Sequence, residues 1–125
     1  MIDIEGVDYI RIPVTDIERA KAFYGGTLGL PAGPSQHDDW VEYQAGNVTL
    51  AVMTPESHGD EFARLTPGSF AFRVPDVATA KAALEAAGVQ VAEVWDSGVC
   101  NGAGFHDPDG NRILLHHRYI PHEQS

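Results

Sequence analysis

The chain has 125 residues, 43% hydrophobic and 21% charged, the composition of one globular domain long enough to bury a substantial core. Eighteen acidic against eight basic side chains leave a formal net charge of -10, which disfavours nucleic acid and anionic membrane surfaces, since both demand a basic face. The one cysteine, Cys100, excludes an internal disulfide and fits a reducing compartment.

From Val7 to Val14 the sequence alternates, with Ile10, Ile12 and Val14 on one face and Tyr9, Arg11 and Pro13 on the other, which predicts a strand. Thr15 followed by Glu18 has the spacing of a capping box. Ile17, Ala20, Tyr24 and Leu28 then share a helical stripe, and Gly25, Gly26 and Gly29 are expected to end the helix. Strands are expected over Trp40 to Ala45 and Val48 to Met53, with Gly46-Asn47 turning between them. Thr54 to Pro67 is read as a polar linker.

Next, Phe70, Phe72 and Val74 face one way and Ser69, Ala71 and Arg73 the other, again a strand. Asp76 caps a second helix with Val77, Ala80, Leu84 and Ala87 on its stripe and Gly88 at its end. Strands are predicted around Val89 to Val94, Ala103 to His106 and Arg112 to His117, with a tight turn at Asp107-Pro108-Asp109-Gly110. The acidic start, Met1-Ile2-Asp3-Ile4-Glu5, lacks the basic and apolar blocks of a signal peptide, and no apolar run reaches membrane-spanning length. The expectation is a cytoplasmic protein.

The two halves repeat. Ile12 to Ala22 aligns with Phe72 to Ala82, with Val14/Val74, Asp16/Asp76, Ala20/Ala80, Lys21/Lys81 and Ala22/Ala82 identical. Leu28-Gly29-Leu30 answers Ala87-Gly88-Val89, and Gly46 to Leu50 answers Gly110 to Leu114. Each copy reads as strand, helix, then three strands. The segmentation is module one over about residues 5–54, a linker over about 55–67, module two over about 68–118 and a tail over 119–125.

The run from Ile10 to Tyr24, then Leu28-Gly29-Leu30, resembles the N-terminal signature of the vicinal-oxygen-chelate superfamily, the glyoxalase, bleomycin-resistance and dioxygenase group. Asp107-Pro108-Asp109-Gly110-Asn111 resembles its C-terminal signature. The resemblance implies an α+β fold of two tandem βαβββ modules that form a curved mixed sheet with a concave ligand cup. It implies no single reaction, because the superfamily spans lyases, isomerases, dioxygenases, transferases and drug-binding proteins.

Metal-dependent members hold a divalent ion with His and Glu at four strand positions. By resemblance these fall on Tyr9, Leu50, Ser69 and Leu114, with Leu50 placed to within one residue. Leucine has no donor atom, and neutral Tyr and Ser hydroxyls are poor ligands beside imidazole or carboxylate. Metal at the family site is therefore disfavoured and no cofactor is expected. His116 and Glu42 are the displaced donors that alternation brings to the cup face, one short of the three ligands of an open catalytic zinc site.

Alternation assigns the cup lining to Tyr9, Arg11, Trp40, Glu42, Gln44, Ser69, Arg73, Leu114 and His116. Arg11 either pairs with Glu42 or, like Arg73, meets an anionic ligand. Trp40 either stacks on a planar ligand or packs. Cys100 and His106 raise a thiolate–imidazole pair, against which stands inert packing of a lone cysteine.

Three functions follow. One is a metal-free protein that binds a small, partly apolar or aromatic molecule. The second is a lyase, isomerase or dioxygenase-type enzyme that uses non-standard residues or displaced ligands, with His116, Glu42 and Tyr9 as its acid–base groups. The third is a domain whose cup its own Trp40, Tyr9 and Leu114 plug, serving regulation or assembly. The resemblance also implies a homodimer, with modules exchanged or not.

Overall fold

A computed structural model describes residues 1–65 and 70–120. The chain divides into two compact units, Met1–Arg64 and Leu65–Ser125.

In the first unit, strand β1 (Ile10–Pro13) leads into helix α1 (Ile17–Lys21), which continues as a π-helical turn over Ala22–Thr27. Three strands follow: β2 (Ala32–Gln36), β3 (Trp40–Gln44) and β4 (Thr49–Met53). The sheet order is β1-β4-β3-β2, with β1 parallel to β4 and the other pairs antiparallel. Helix α1 lies against β3 and β4. Ile12, Val41, Tyr43, Leu50 and Val52 on the sheet, with Ile17, Ala20, Phe23 and Tyr24 from the helix, are buried between them. Burial, and after it the Glu18 carboxylate, pushes the Tyr43 hydroxyl above its ordinary pKa.

Two details of this helix differ from expectation. Asp16, not Thr15, is the cap: its carboxylate accepts from the Arg19 N–H at 3.0 Å, while the Thr15 hydroxyl accepts from the Arg19 guanidinium at 3.1 Å. An ionised oxygen at a helix N-terminus gains from the helix dipole as well as from the hydrogen bond, so the aspartate wins. Gly25 and Gly26 lie inside the π turn, not at a stop. The Leu28 N–H reaches the Phe23 carbonyl at 2.8 Å, five residues back, and Gly29 with φ 70° ends the segment.

After β4 a short 3₁₀ turn, Pro55–His58, closes on Gly59 with φ 81°. The expected linker thus carries local structure. Its last residues, with Ser69, fall partly outside the described residues.

The second unit repeats the plan. Strand β5 (Ala71–Arg73), helix α2 (Val77–Ala86), β6 (Trp95–Asp96), β7 (Cys100–His106) and β8 (Arg112–Arg118) form a sheet of order β5-β8-β7-β6. Again the first and last strands are parallel. Asp76 caps α2 through the Thr79 N–H at 3.1 Å, and Gly88 with φ 88° ends it. Helix α2 packs on β7 and β8, burying Val77 and Leu84 with Ala103, Phe105, Ile113 and Leu115. Lys81 donates to the Val91 and Ala92 carbonyls at 3.2 and 3.0 Å, tying the helix to the chain that enters β6.

The strand expected over Val89 to Val94 lies later. Val91 makes only an isolated bridge to Phe105, and the regular pairing is Trp95 with Gly102 and Asp96 with Asn101. The apolar Val89-Val91-Val94 spacing serves burial of Val91 rather than a ladder.

Asp107 to Asn111 is a hydrogen-bonded knot. Asp107 accepts from the N–H groups of Asp109 and Asn111, both at 2.9 Å, and from the Asn111 amide at 2.8 Å. The Asn111 side-chain oxygen accepts from the Leu65 N–H at 2.7 Å. Both side chains are buried, so these bonds supply the partners their polar atoms require.

Candidate functional site: the sheet faces away from the helices

A helix covers one face of each sheet, and pairing register determines which residues occupy the other. In the first unit one cross-strand row is Arg11–Ala51–Glu42 and the next is Pro13–Met53–Trp40. In the second, the rows are Ala71–Leu114–Gly104 and Arg73–His116–Gly102–Trp95. Tyr9, Arg11, Trp40, Glu42, Gln44, Arg73, Leu114 and His116 therefore lie on the faces away from the helices, as alternation predicts; Ser69 lies outside the described residues.

Leu50 is a correction. It pairs with Ile10 and Tyr43, points under α1 and is fully buried. The residue matching Leu114 is Ala51, because Ala51 pairs with Arg11 as Leu114 pairs with Ala71, sixty positions on. The slip arises at the turns. The Ala45 N–H bonds to the Val48 carbonyl across a loop of Gly46 and Asn47, whereas the Asp107 N–H reaches Asn111 across a loop one residue longer. Aligning Gly46-Asn47 on Gly110-Asn111 therefore misplaces the strand by one, and one residue reverses the face.

On the first sheet, Trp40 is the hub of an aromatic group. Its ring meets Tyr9 edge-on at 5.1 Å and His58 at 5.6 Å, and its indole N–H donates to Glu42 Oε2 at 2.9 Å. His58 Nε2 lies 3.5 Å from Asp39. Arg11 reaches Asp60 at 3.4 Å rather than Glu42, so the Arg11–Glu42 pairing weighed from sequence does not form. Glu42 serves the tryptophan instead.

On the second sheet, sequence reasoning missed Trp95. Its indole lies over Gly102, where an added methyl would sit 2.5 Å from Cζ2, and its ring centre is 6.3 Å from that of His116. The missing signal was the strand position: with β6 read as Val89 to Val94, Trp95 had no face. Arg112 lies over Gly104 in a similar way, its guanidinium 3.2 Å from where a methyl would stand.

Cys100 and His106 occupy opposite ends of β7, about 20 Å apart at strand rise, so they form no nucleophile–base pair. The Cys100 sulfur instead lies 3.2 Å from the Ser97 hydroxyl. Asp96 and Tyr119 lie beyond the row on the helix-side register. The Tyr119 hydroxyl donates to Asp96 at 2.6 Å, which, with the Gly98 N–H, holds the Asp96 carboxyl below its ordinary pKa and raises that of Tyr119.

The sequence profile of the Glyoxalase/Bleomycin resistance protein/Dioxygenase superfamily matches residues 6–115. The chain belongs to this superfamily. Among solved structures, TnmS3, an antibiotic binding protein from Streptomyces sp. CB03234, is similar at 29% identity and TM-score 0.74, covering 94% of this chain and 99% of that one. A glyoxalase/bleomycin resistance protein from the same organism is 31% identical at TM-score 0.65, covering 84% and 94%. Lactoylglutathione lyase from Agrobacterium tumefaciens shares the fold at TM-score 0.76 and 20% identity, covering 92% and 95%. No curated protein matches the chain in sequence.

Membership in the glyoxalase superfamily raises the question of a divalent metal. Of the four positions that resemblance assigns, the described ones carry Tyr9, Ala51 in place of Leu50, and Leu114. Alanine and leucine offer no donor, so this set does not fit a metal ion. Among the described residues no His, Cys, Asp or Glu cluster of three gathers elsewhere, and no helix is long and apolar enough to cross a membrane.

Proposed function

We propose that this member of the glyoxalase superfamily binds a small, partly apolar or aromatic molecule on the sheet faces that point away from its helices, without the family metal. The observation that carries the proposal is the substitution of Ala51 and Leu114 at two matched positions on faces that also present Tyr9, Trp40 and Trp95. Where metal-binding members hold donor atoms, this chain holds the apolar side chains of Ala51 and Leu114, and apolar walls with a few placed polar groups are what small-molecule sites offer. The likeness to an antibiotic binding protein supports binding over turnover. The ligand-bearing form is proposed as a cytoplasmic homodimer.

The test is titration of the purified protein with a panel of uncharged and charged aromatic molecules, followed by tryptophan fluorescence, with product analysis and metal analysis on the same samples. Saturable binding, unchanged ligand and substoichiometric metal after dialysis against a weak chelator are expected. Retained stoichiometric metal, or turnover that depends on it, overturns the proposal. Light scattering at twice the chain mass is the expected result for the dimer.

A further inference from the structure

The chain carries eight basic side chains against eighteen acidic ones, yet the described strand positions on the face of the second sheet away from α2 reverse that balance. Arg73, Arg112, Arg118 and His116 all occupy strand positions on it. The other described strand positions of this face are Ala71, Leu114, Cys100, Gly102, Gly104, His106 and Trp95, with no carboxylate among them. Three of the eight lysines and arginines thus share one face of a chain of net charge -10.

Among the described residues Arg73 makes no ion pair, and Arg118 Nε is shielded from solvent without a hydrogen-bond partner.

The same face has a flat floor. Gly102 and Gly104 stand two residues apart on β7, about 7 Å at strand rise, and contribute no side chain. The Trp95 indole lies over the first and the Arg112 guanidinium over the second. Trp95 remains 40% exposed despite that contact, so ring surface is left for stacking. Leu114 and His116 border the floor on β8. Two strand spacings of about 4.8 Å separate the Arg73 and Gly102 backbones, a span that an extended arginine side chain covers in large part.

We infer that the face of the second sheet away from α2 binds a planar aromatic anion, its ring stacked on Trp95 and its carboxylate or equivalent acid group held by Arg73. Arginine forks match a carboxylate in shape and charge, and aromatic stacking needs no particular ring chemistry. Arg112 and Arg118 flank the ring and add to the positive potential. The inference rests on the small-molecule reading above and names the ligand's class and the sheet that receives it.

The experiment compares 1-naphthoate with the uncharged 1-naphthalenemethanol, by calorimetry and by the indole N–H signals of Trp40 and Trp95 in NMR spectra. Naphthoate is expected to bind at least about tenfold more tightly and to move the Trp95 signal. Arg73→Gln, at an exposed position, is expected to remove most of that advantage while leaving the alcohol's affinity unchanged. Trp95→Leu, checked for folding by circular dichroism, should weaken both ligands about tenfold. Lys81→Gln, which removes the same charge from α2, should change neither. Equal affinity for the two compounds, a naphthoate response at Trp40 alone, or an Arg73→Gln effect matched by Lys81→Gln overturns the inference. If the alcohol binds and naphthoate does not, the anion assignment falls and the broader reading stands. If neither binds, the inference falls, and the broader reading falls with it only when the whole aromatic panel also fails.

Discussion

Asn111 and Asp107 hold each other across the last turn: the Asn111 amide donates to one Asp107 oxygen at 2.8 Å while its own N–H donates to the other at 2.9 Å. Asn111 also ties in Leu65 through its side-chain oxygen, at 2.7 Å. The knot joins the turn that opens β8 to the chain entering β5. Asn111→Ala removes the side-chain partner of the part-buried Leu65 N–H and one hydrogen bond to the buried Asp107 carboxylate. A loss of about 2–4 kcal/mol is expected, read as a lower urea midpoint at unchanged slope.

Arg11→Gln gives the contrast. The Arg11–Asp60 pair is 3.4 Å long with side chains 46% and 56% exposed. Solvent screening leaves such a pair worth little, and a change within about 0.5 kcal/mol is expected in the same urea titration.

Asp76→Ala tests the cap of α2. Its carboxylate satisfies the Thr79 N–H at 3.1 Å. A loss of about 1 kcal/mol is expected. Thr15→Ala should cost less than Asp16→Ala, because Asp16 is the residue that caps α1.

Tyr119→Phe tests the link to Asp96. The Tyr119 hydroxyl and the Gly98 N–H hold the folded Asp96 pKa below its unfolded value. A depressed carboxylate stabilises the fold above the unfolded pKa, and that contribution is lost as pH falls through the folded pKa. Removing the hydroxyl should raise the Asp96 pKa toward the ordinary carboxylate range, measured from side-chain carboxyl shifts by NMR. The acid limb of the stability profile should then flatten. Tyr43 works at the other end of the scale: its raised pKa favours the neutral phenol in the fold. Its contribution is present below the unfolded tyrosine pKa and fades as pH rises through the folded one.

Much of the candidate site was legible because strand alternation is a local property. Arg11, Trp40, Glu42, Arg73, Leu114 and His116 could each be assigned to a face from their immediate neighbours, and pairing register agrees with every assignment. Where the assignment depended on counting residues through a turn, it failed. Leu50 went to the wrong face because the two turns differ by one residue, and Trp95 was missed because β6 starts later than its apolar residues imply.

By itself, the sequence determined the repeat, the two modules and their capped helices, since these follow from periodicity of 2 and 3.6 and from Asp, Gly and Pro acting over a few residues. Residue identity alone also shows that Leu114 offers no donor atom. Tertiary structure alone decided which polar groups find partners. Arg11 goes to Asp60 and Glu42 to Trp40, while Arg73, Arg112, Arg118 and Trp95 share one sheet face whose described strand positions carry no carboxylate. Those residues lie up to 45 positions apart in a chain that is acidic as a whole, and only the pairing of β5, β8, β7 and β6 gathers them. Net charge is a sum over the chain, whereas a ligand meets only the charges that the sheet brings to one side.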